Sequence, residues 1–225
     1  MSAMQAIKLA VMISGSGSNL QALIDAIESG QLNAKICAVI SNRPDVYGLQ
    51  RAQKHNIQAI ALDHTRFANR AEFDAELQRQ IDALAVDFIV LAGYMRILSS
   101  DFIEHYYPRL LNIHPSLLPK YQGLHTHQRA LDNHDREHGV SIHVVTPELD
   151  AGPVIIQGKF IIEAQDDVDS LQQKAHQLEH QMYPLVLQWL SEQRLKLSAH
   201  TITFDGQPLQ CPLLFNELDG SGKMS

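Results

Sequence analysis

The sequence predicts an α/β protein built on an open, mostly parallel, twisted sheet with helices on both faces. Two observations predict this class. Short apolar segments alternate with amphipathic segments over the first half of the chain, and little sequence lies between them. Buried parallel strands appear as nearly continuous apolar runs, joined by right-handed crossovers. We therefore expect one domain over residues 1–191, phosphate-binding up to about residue 110 and catalytic beyond it, followed by a C-terminal extension over 192–225.

The first half contains five predicted strands, whose segments carry no charged residue except Lys8. Apolar residues at helical spacing define four connecting helices, and Leu20 belongs to the packing face of the first. The predicted strands are Ile7–Ile13, Ile36–Ile40, Ile57–Leu62, Phe88–Leu91 and Leu110–His114, and the predicted helices are Asn19–Glu28, Gly48–His55, Arg70–Leu84 and Ser99–Tyr106.

The pattern changes after Pro115, where a loop rich in proline, glycine and histidine begins. Pro184 lies inside the longest predicted helix and should kink it. Asp205-Gly206 predicts a hairpin turn, and we expect Gly220–Ser225 to be disordered. The predicted elements of this half are the loop Pro115–His127, the helices Gln128–Leu131 and Asp167–Ser191, and the strands Val140–Val145 and Val154–Ile162.

Composition excludes several classes of protein. The net charge of −7 argues against a nucleic-acid surface, which needs a basic stripe. The longest uncharged apolar run, Phe88–Met95, falls short of the ~18 residues of a membrane span, and the N-terminus does not resemble a secretory signal. Cys37 and Cys211 form no disulfide or metal pattern and suggest a reducing compartment. We expect a cytoplasmic enzyme without nucleic-acid or membrane partners.

A glycine-rich segment, Ser14–Asn19, joins the first strand to the first helix. Free backbone amides and the helix dipole favour an anion there. A dinucleotide is disfavoured because Leu20 occupies the third glycine position and the second strand ends at Ser41-Asn42 without an acid. A Walker lysine is also absent. The segment therefore fits a phosphate monoester, and the open alternative is a tight turn capped by Ser18 or Asn19.

Asn112 and His114 are candidate catalytic residues at the end of the fifth predicted strand. They are two residues apart, so their side chains share one face, and carboxyl ends of parallel strands are where such sheets bind ligands. An amide donor beside an imidazole suits acyl transfer. Asp150, which opens a loop between two later strands, is the best partner for the imidazole. Each residue also has an ordinary interpretation, as a turn cap, a surface histidine or a turn aspartate.

Residues His134–His138 match the inverted zinc-protease pattern His-x-x-Glu-His. That pattern binds zinc only on a helix that places both histidines on one face. Because Asp132-Asn133 precedes it and Gly139 follows it, we predict a solvated loop here and no metal site.

Five segments match a known family in both order and spacing, from about Ile7 to about Trp189. They are Ile13–Leu20, Leu91–Leu98, Leu111–His127, His143–Thr146 and Leu149–Ile155. The third contains Asn-Ile-His-Pro-Ser-Leu-Leu-Pro, a string typical of folate-dependent formyl transfer, and continues Lys-Tyr-Gln-Gly-Leu-His-Thr-His. In these segments the chain resembles the phosphoribosylglycinamide formyltransferases of purine biosynthesis.

The resemblance implies transfer of the formyl group of 10-formyltetrahydrofolate to the amine of glycinamide ribonucleotide, without a metal. By their match to the family pattern, Asn112 would hold the formyl oxygen and His114 would assist the tetrahedral intermediate. Asp150 would pair with His114 and support proton transfer.

The resemblance also implies binding residues. Glu179, beside the apolar stripe of the last helix, would contact the substrate's ribose from an exposed position; the alternative is an ordinary solvated charge. The 5′-phosphate would be bound by Gly17, Ser18 and Asn19, and the folate by Arg70, Met95, Arg96, Ile97, Leu98 and Asn112.

Four rival functions remain to be distinguished. Methionyl-tRNA formyltransferase would require a further C-terminal RNA-binding domain, and formyltetrahydrofolate deformylase an N-terminal regulatory domain; we expect neither. A non-catalytic nucleotide-binding module would not need the three candidate catalytic residues together. A zinc hydrolase has the weakest support. The chain itself we expect to be a monomer or a weak homodimer.

Overall fold

An eight-stranded sheet forms the centre of the computed structural model, which describes residues 5–218. The strands are β1 Ile7–Ile13, β2 Ala34–Ser41, β3 Gln58–Ala61, β4 Phe88–Leu91, β5 Leu110–His114, β6 Glu137–Val144, β7 Val154–Ile161, β8 Leu195–Leu197, β9 Ile202–Phe204, β10 Gln207–Pro208 and β11 Leu213–Leu214. The helices are α1 Ser18–Glu28, α2 Tyr47–Lys54, α3 Arg70–Asp82, α4 Ser100–Tyr106, α5 Thr126–Asp132 and α6 Val168–Ser191.

The sheet has the strand order β11-β7-β6-β5-β4-β1-β2-β3. Strands β1 to β5 pair in parallel, whereas β6 is antiparallel to both β5 and β7. The predicted class, an open and mostly parallel sheet, is confirmed. Because the chain order reverses on the two sides of β1, the carboxyl ends of β1 and β4 border a crevice of the kind in which such sheets bind ligands.

Two hydrophobic clusters cover the two faces of the sheet, and β1 contributes to both. Leu9 and Val11 belong to the cluster that includes the buried residues of α1 and α6. Ala10 and Met12 belong to the cluster under α3 and α4. Strand side chains alternate between faces, so an uninterrupted apolar strand is what a sheet covered on both sides requires. Leu20 is fully buried in the first cluster, as predicted.

The prediction of a solvated loop at His134–His138 is wrong in its second half. Glu137 and His138 begin β6, and His138 is buried because its ring packs edge-on against the rings of Tyr121 and Phe160. The pattern also lies on no helix, so it lacks the zinc-binding geometry it would need.

Gly139 shows why the sequence did not reveal this start of β6. The glycine argued only against a sustained helix, and it lies inside β6 beside β7. A Cβ atom at this position would lie 2.0 Å from the carbonyl oxygen of Gly158. The glycine therefore permits close approach of two backbones rather than a turn.

The last helix, α6, starts with a capping box in which Asp167 and Ser170 bond each other's backbone N–H groups. It continues through Pro184, and the kink proposed there stays a prediction. None of the helices within residues 5–218 is long and apolar enough to cross a membrane.

The residues after α6 form a small antiparallel sheet of β8, β9 and β10. The predicted hairpin turn is confirmed, since Asp205 and Gly206 both have positive φ between β9 and β10. Strand β11 then joins the edge of the main sheet beside β7. The disorder expected for Gly220–Ser225 falls outside the described residues.

Candidate active site

The predicted catalytic residues come together at the end of β5. Asn112 and His114 occupy that end, and Asn112 lies opposite Leu91, the last residue of β4. His114 is buried and Asn112 is partly buried. Pro115 follows directly, so the strand stops where these two polar side chains are needed.

Asp150 reaches both residues from the loop between β6 and β7. Its Oδ2 atom lies 3.4 Å from Nδ1 of His114 and accepts a 2.9 Å hydrogen bond from the backbone N–H of Gly123. Its Oδ1 atom lies 3.5 Å from Nδ2 of Asn112. The structure therefore brings the three residues together around one carboxylate, whose side chain is only 10% exposed.

The backbone fixes the proton on one nitrogen of His114. Nε2 lies 2.8 Å from the carbonyl oxygen of Tyr121. Because a carbonyl oxygen only accepts hydrogen bonds, Nε2 carries a hydrogen, and Nδ1 is the nitrogen that faces Asp150. A hydrogen on Nδ1 would point at the Asp150 carboxylate.

His143 adds a side chain that we did not predict as functional. It lies on β6 directly opposite Asn112 and is 1% exposed. Its Nε2 atom is 3.1 Å from Nδ2 of Asn112 and 3.8 Å from Oδ1 of Asp150. Burial lowers the pKa of His143, which favours the neutral ring. Its position depends on the antiparallel pairing of β6 with β5, which no local pattern signals.

The glycine-rich segment leaves the amides at the start of α1 without a side-chain cap. Gly17 is the N-cap residue, in the left-handed region at φ 71°, and no side chain caps the helix. The alternative cap by Ser18 or Asn19 is therefore wrong. A Cβ atom on Gly17 would lie 2.9 Å from the Cα atom of Gly48, so this position requires glycine. Its open backbone N–H groups suit an anion.

Asn19 and Glu179 form a buried pair beside this loop. Nδ2 of Asn19 donates a 2.8 Å hydrogen bond to Oε2 of Glu179, and the residues are 7% and 5% exposed. Oδ1 of Asn19 is buried without a partner in the structure. The expected exposure of Glu179 is wrong because α6 packs against α1, and this burial raises the pKa of its carboxyl group.

The segment Gly93–Leu98 is joined to the glycine-rich segment by two hydrogen bonds. Ser14 donates its backbone N–H to the carbonyl oxygen of Gly93 at 3.1 Å, and its Oγ accepts the backbone N–H of Met95 at 2.8 Å. Met95 and Ile97 are exposed apolar residues. The two predicted binding segments are thus neighbours.

The remaining predicted folate contacts differ in their surroundings. Leu98 is buried in the core, and the guanidinium of Arg96 lies 4.6 Å from the ring centre of Phe73. Arg70 is exposed at the first position of α3. Their contacts with folate stay predictions.

Among residues 5–218, no group of three or more histidine, cysteine, aspartate or glutamate side chains is arranged to hold a metal ion. The cluster at β5 instead combines amide, imidazole and carboxylate groups, which suits proton transfer and stabilisation of an oxyanion.

Comparison with known proteins places the chain in one family. The profile of the formyl transferase family matches residues 7–187. The phosphoribosylglycinamide formyltransferase of Escherichia coli K12 is 50% identical over 201 residues, which are 89% of this chain and 95% of that protein. The trifunctional purine biosynthetic protein adenosine-3 of Drosophila melanogaster is 48% identical over 81% of this chain, which corresponds to 14% of that protein.

Similarity to solved structures indicates the same family as these relatives do. The phosphoribosylglycinamide formyltransferase of Coxiella burnetii has a TM-score of 0.90 and 48% identity, over 94% of this chain and all of that one. Glycinamide ribonucleotide transformylase 1 of Symbiobacterium toebii has a TM-score of 0.84 and 36% identity, over 88% of this chain and 94% of that one. The chain belongs to the formyl transferase family, and within it to the phosphoribosylglycinamide formyltransferases.

Proposed function

We propose that this chain transfers the formyl group of 10-formyltetrahydrofolate to the amine of 5′-phosphoribosylglycinamide, with tetrahydrofolate as the second product, in purine biosynthesis. The observation that carries this proposal is the cluster in which Asp150 faces His114 at 3.4 Å and Asn112 at 3.5 Å. Support for the substrates comes from the names of relatives that match over nearly the whole chain.

Asn112 and His114 would stabilise the tetrahedral intermediate. The neutral amine attacks the formyl carbon, and negative charge develops on the formyl oxygen while positive charge develops on the attacking nitrogen. An N–H group of Asn112 would donate to that oxygen, and the positive charge of a protonated His114 beside it would add to the stabilisation. One such donor lowers a barrier of this kind by about 3 kcal/mol.

Asp150 would serve the proton transfers that complete the reaction. The attacking nitrogen loses one proton and N10 of the folate gains one as the old C–N bond breaks, so no proton is consumed overall. Nδ1 of His114 faces Asp150 at 3.4 Å. The carboxylate would stabilise the charged imidazole and receive the amine proton, directly or through water.

Two segments would hold the two substrates side by side. Gly17, Ser18 and Asn19 would bind the 5′-phosphate, and Glu179 the ribose. The apolar side chains of Met95 and Ile97 would contact the folate. Because the hydrogen bonds of Ser14 join these segments, bound substrates would already be near their reacting geometry, which removes much of the entropic cost of the reaction.

The remaining parts of the proposal concern organisation. We assign the formyltransferase domain to residues 1–191 and the extension to 192–225. We place the reaction in the cytoplasm, consistent with the free thiols of Cys37 and Cys211. The reaction uses no metal, and the protein acts as a monomer or weak homodimer.

A spectroscopic assay of tetrahydrofolate formation from 10-formyltetrahydrofolate, run with and without the ribonucleotide, tests this function. We expect release that depends on the ribonucleotide. Equal release in its absence would show a deformylase that uses water. No release under either condition would favour a binding module, and both results would reject the transferase.

A further inference from the structure

The side-chain amide of Asn112 has two hydrogen-bond acceptors beside its nitrogen. Nδ2 lies 3.1 Å from Nε2 of His143 and 3.5 Å from Oδ1 of Asp150. The first contact is an ordinary hydrogen bond, whereas the second is at the long limit for one. An amide nitrogen has two hydrogens, so each acceptor has one available.

The protonation of His143 follows from its own surroundings. Nδ1 lies 3.0 Å from the carbonyl oxygen of Val144, which only accepts, so Nδ1 carries the hydrogen. Nε2 is 3.8 Å from the carboxylate of Asp150, too far for a hydrogen bond from an imidazolium. Burial also favours the neutral ring. Nε2 of His143 is therefore a lone-pair acceptor.

This acceptor decides which way the Asn112 amide points. With the amide reversed, its carbonyl oxygen would face the lone pair of Nε2 and the carboxylate of Asp150. Three acceptors would then meet in a site where His143 is almost fully enclosed. A buried polar group without a hydrogen-bond partner destabilises the fold. The orientation with Nδ2 toward β6 is strongly preferred.

We propose that His143 is a positioning residue for formyl transfer, which fixes the Asn112 amide so that an N–H group faces the formyl oxygen. The 3.1 Å bond to His143 anchors the amide. The longer bond to Asp150 is the one that gives way when the formyl oxygen arrives and takes the second N–H. The inference rests on the proposed function, because it assigns His143 to the oxyanion donor of that reaction.

A matched pair of substitutions separates the two nitrogens of His143. His143→Gln keeps an amide oxygen near the position of Nε2, and His143→Asn keeps a polar group only near Nδ1. We expect His143→Asn to lower kcat about 30-fold with KM values within about threefold, and His143→Gln to recover most of that loss. Similar kcat values in the two variants would overturn the proposal.

A double-mutant cycle tests whether His143 acts through Asn112. Asn112→Ala removes the amide, so His143→Asn should lower kcat no further in that background. Losses that multiply would show that His143 acts by another route. Ser191→Ala, which removes a buried hydroxyl at the far end of α6, is the control for a general loss of buried polar contacts and should leave kcat unchanged.

The proton on His143 is measurable without turnover. In ¹⁵N NMR of the full chain we expect Nδ1 protonated and Nε2 unprotonated near pH 7. A protonated Nε2 would overturn the inference even if the enzyme is active. Conversely, wild-type protein without ribonucleotide-dependent activity would reject the proposed function, whatever the state of His143.

Discussion

Replacing Asp150 by asparagine removes the charge that faces His114 and leaves a side chain of nearly the same size. At 3.4 Å, a unit charge pair in an effective dielectric of about 20 interacts with ~5 kcal/mol. This is an upper bound, because asparagine still accepts a hydrogen bond. We expect kcat to fall about 10²- to 10³-fold, while KM for both substrates changes by no more than a few-fold.

Asp166→Asn is the matched control. Asp166 has a similarly enclosed carboxylate, but it pairs with Lys174 at the start of α6 rather than with the candidate catalytic residues. This variant should lose stability and keep kcat within about twofold. Steady-state tetrahydrofolate release measures both variants. Near-normal kcat in Asp150→Asn, or an equal loss in the control, would refute the role of the Asp150 carboxylate.

Three further predictions follow from the described contacts. Burial raises the pKa of the Glu179 carboxyl group, so the stability that its protonated form contributes is lost as pH rises through the folded-state pKa. Glu179→Gln keeps an acceptor for the Asn19 amide but cannot ionise. In urea denaturation at pH 8 this variant should be more stable than the wild type. Burial lowers the pKa of His138 to about 4, so wild-type stability should fall as pH drops from 7 to 4. In thermal melts His138→Gln should flatten this dependence of stability on pH. An unchanged dependence would show that His138 is not its source. Gly17→Ala combines positive φ with a 2.9 Å clash against Gly48; it should lower the unfolding free energy by about 1–3 kcal/mol and raise KM for the ribonucleotide more than KM for the folate.

Local sequence patterns were sufficient to predict the candidate site residues at the end of β5. The two-residue periodicity of a strand places Asn112 and His114 on one face, and Pro115 marks the end of the strand. Both signals lie within a few residues of the chain. The rule that ligands bind at carboxyl ends of parallel strands then turned a local pattern into a candidate site.

Non-local contacts set the limit of the sequence prediction. His143 meets Asn112 only because β6 runs antiparallel to β5. Helical periodicity places Glu179 beside the apolar stripe of α6, but it does not show that α1 lies over that position and buries it. A glycine within a strand and a glycine in a loop look alike in sequence, so Gly139 did not signal that β6 begins before it.

Formyl transfer requires that the formyl carbon moves directly to the amine of the ribonucleotide. The most direct test uses 10-formyltetrahydrofolate labelled with ¹³C at the formyl carbon and follows that carbon by NMR with the ribonucleotide present. We expect the label to appear on the glycinamide nitrogen in step with tetrahydrofolate release. Label recovered as formate, with the ribonucleotide unchanged, would contradict it.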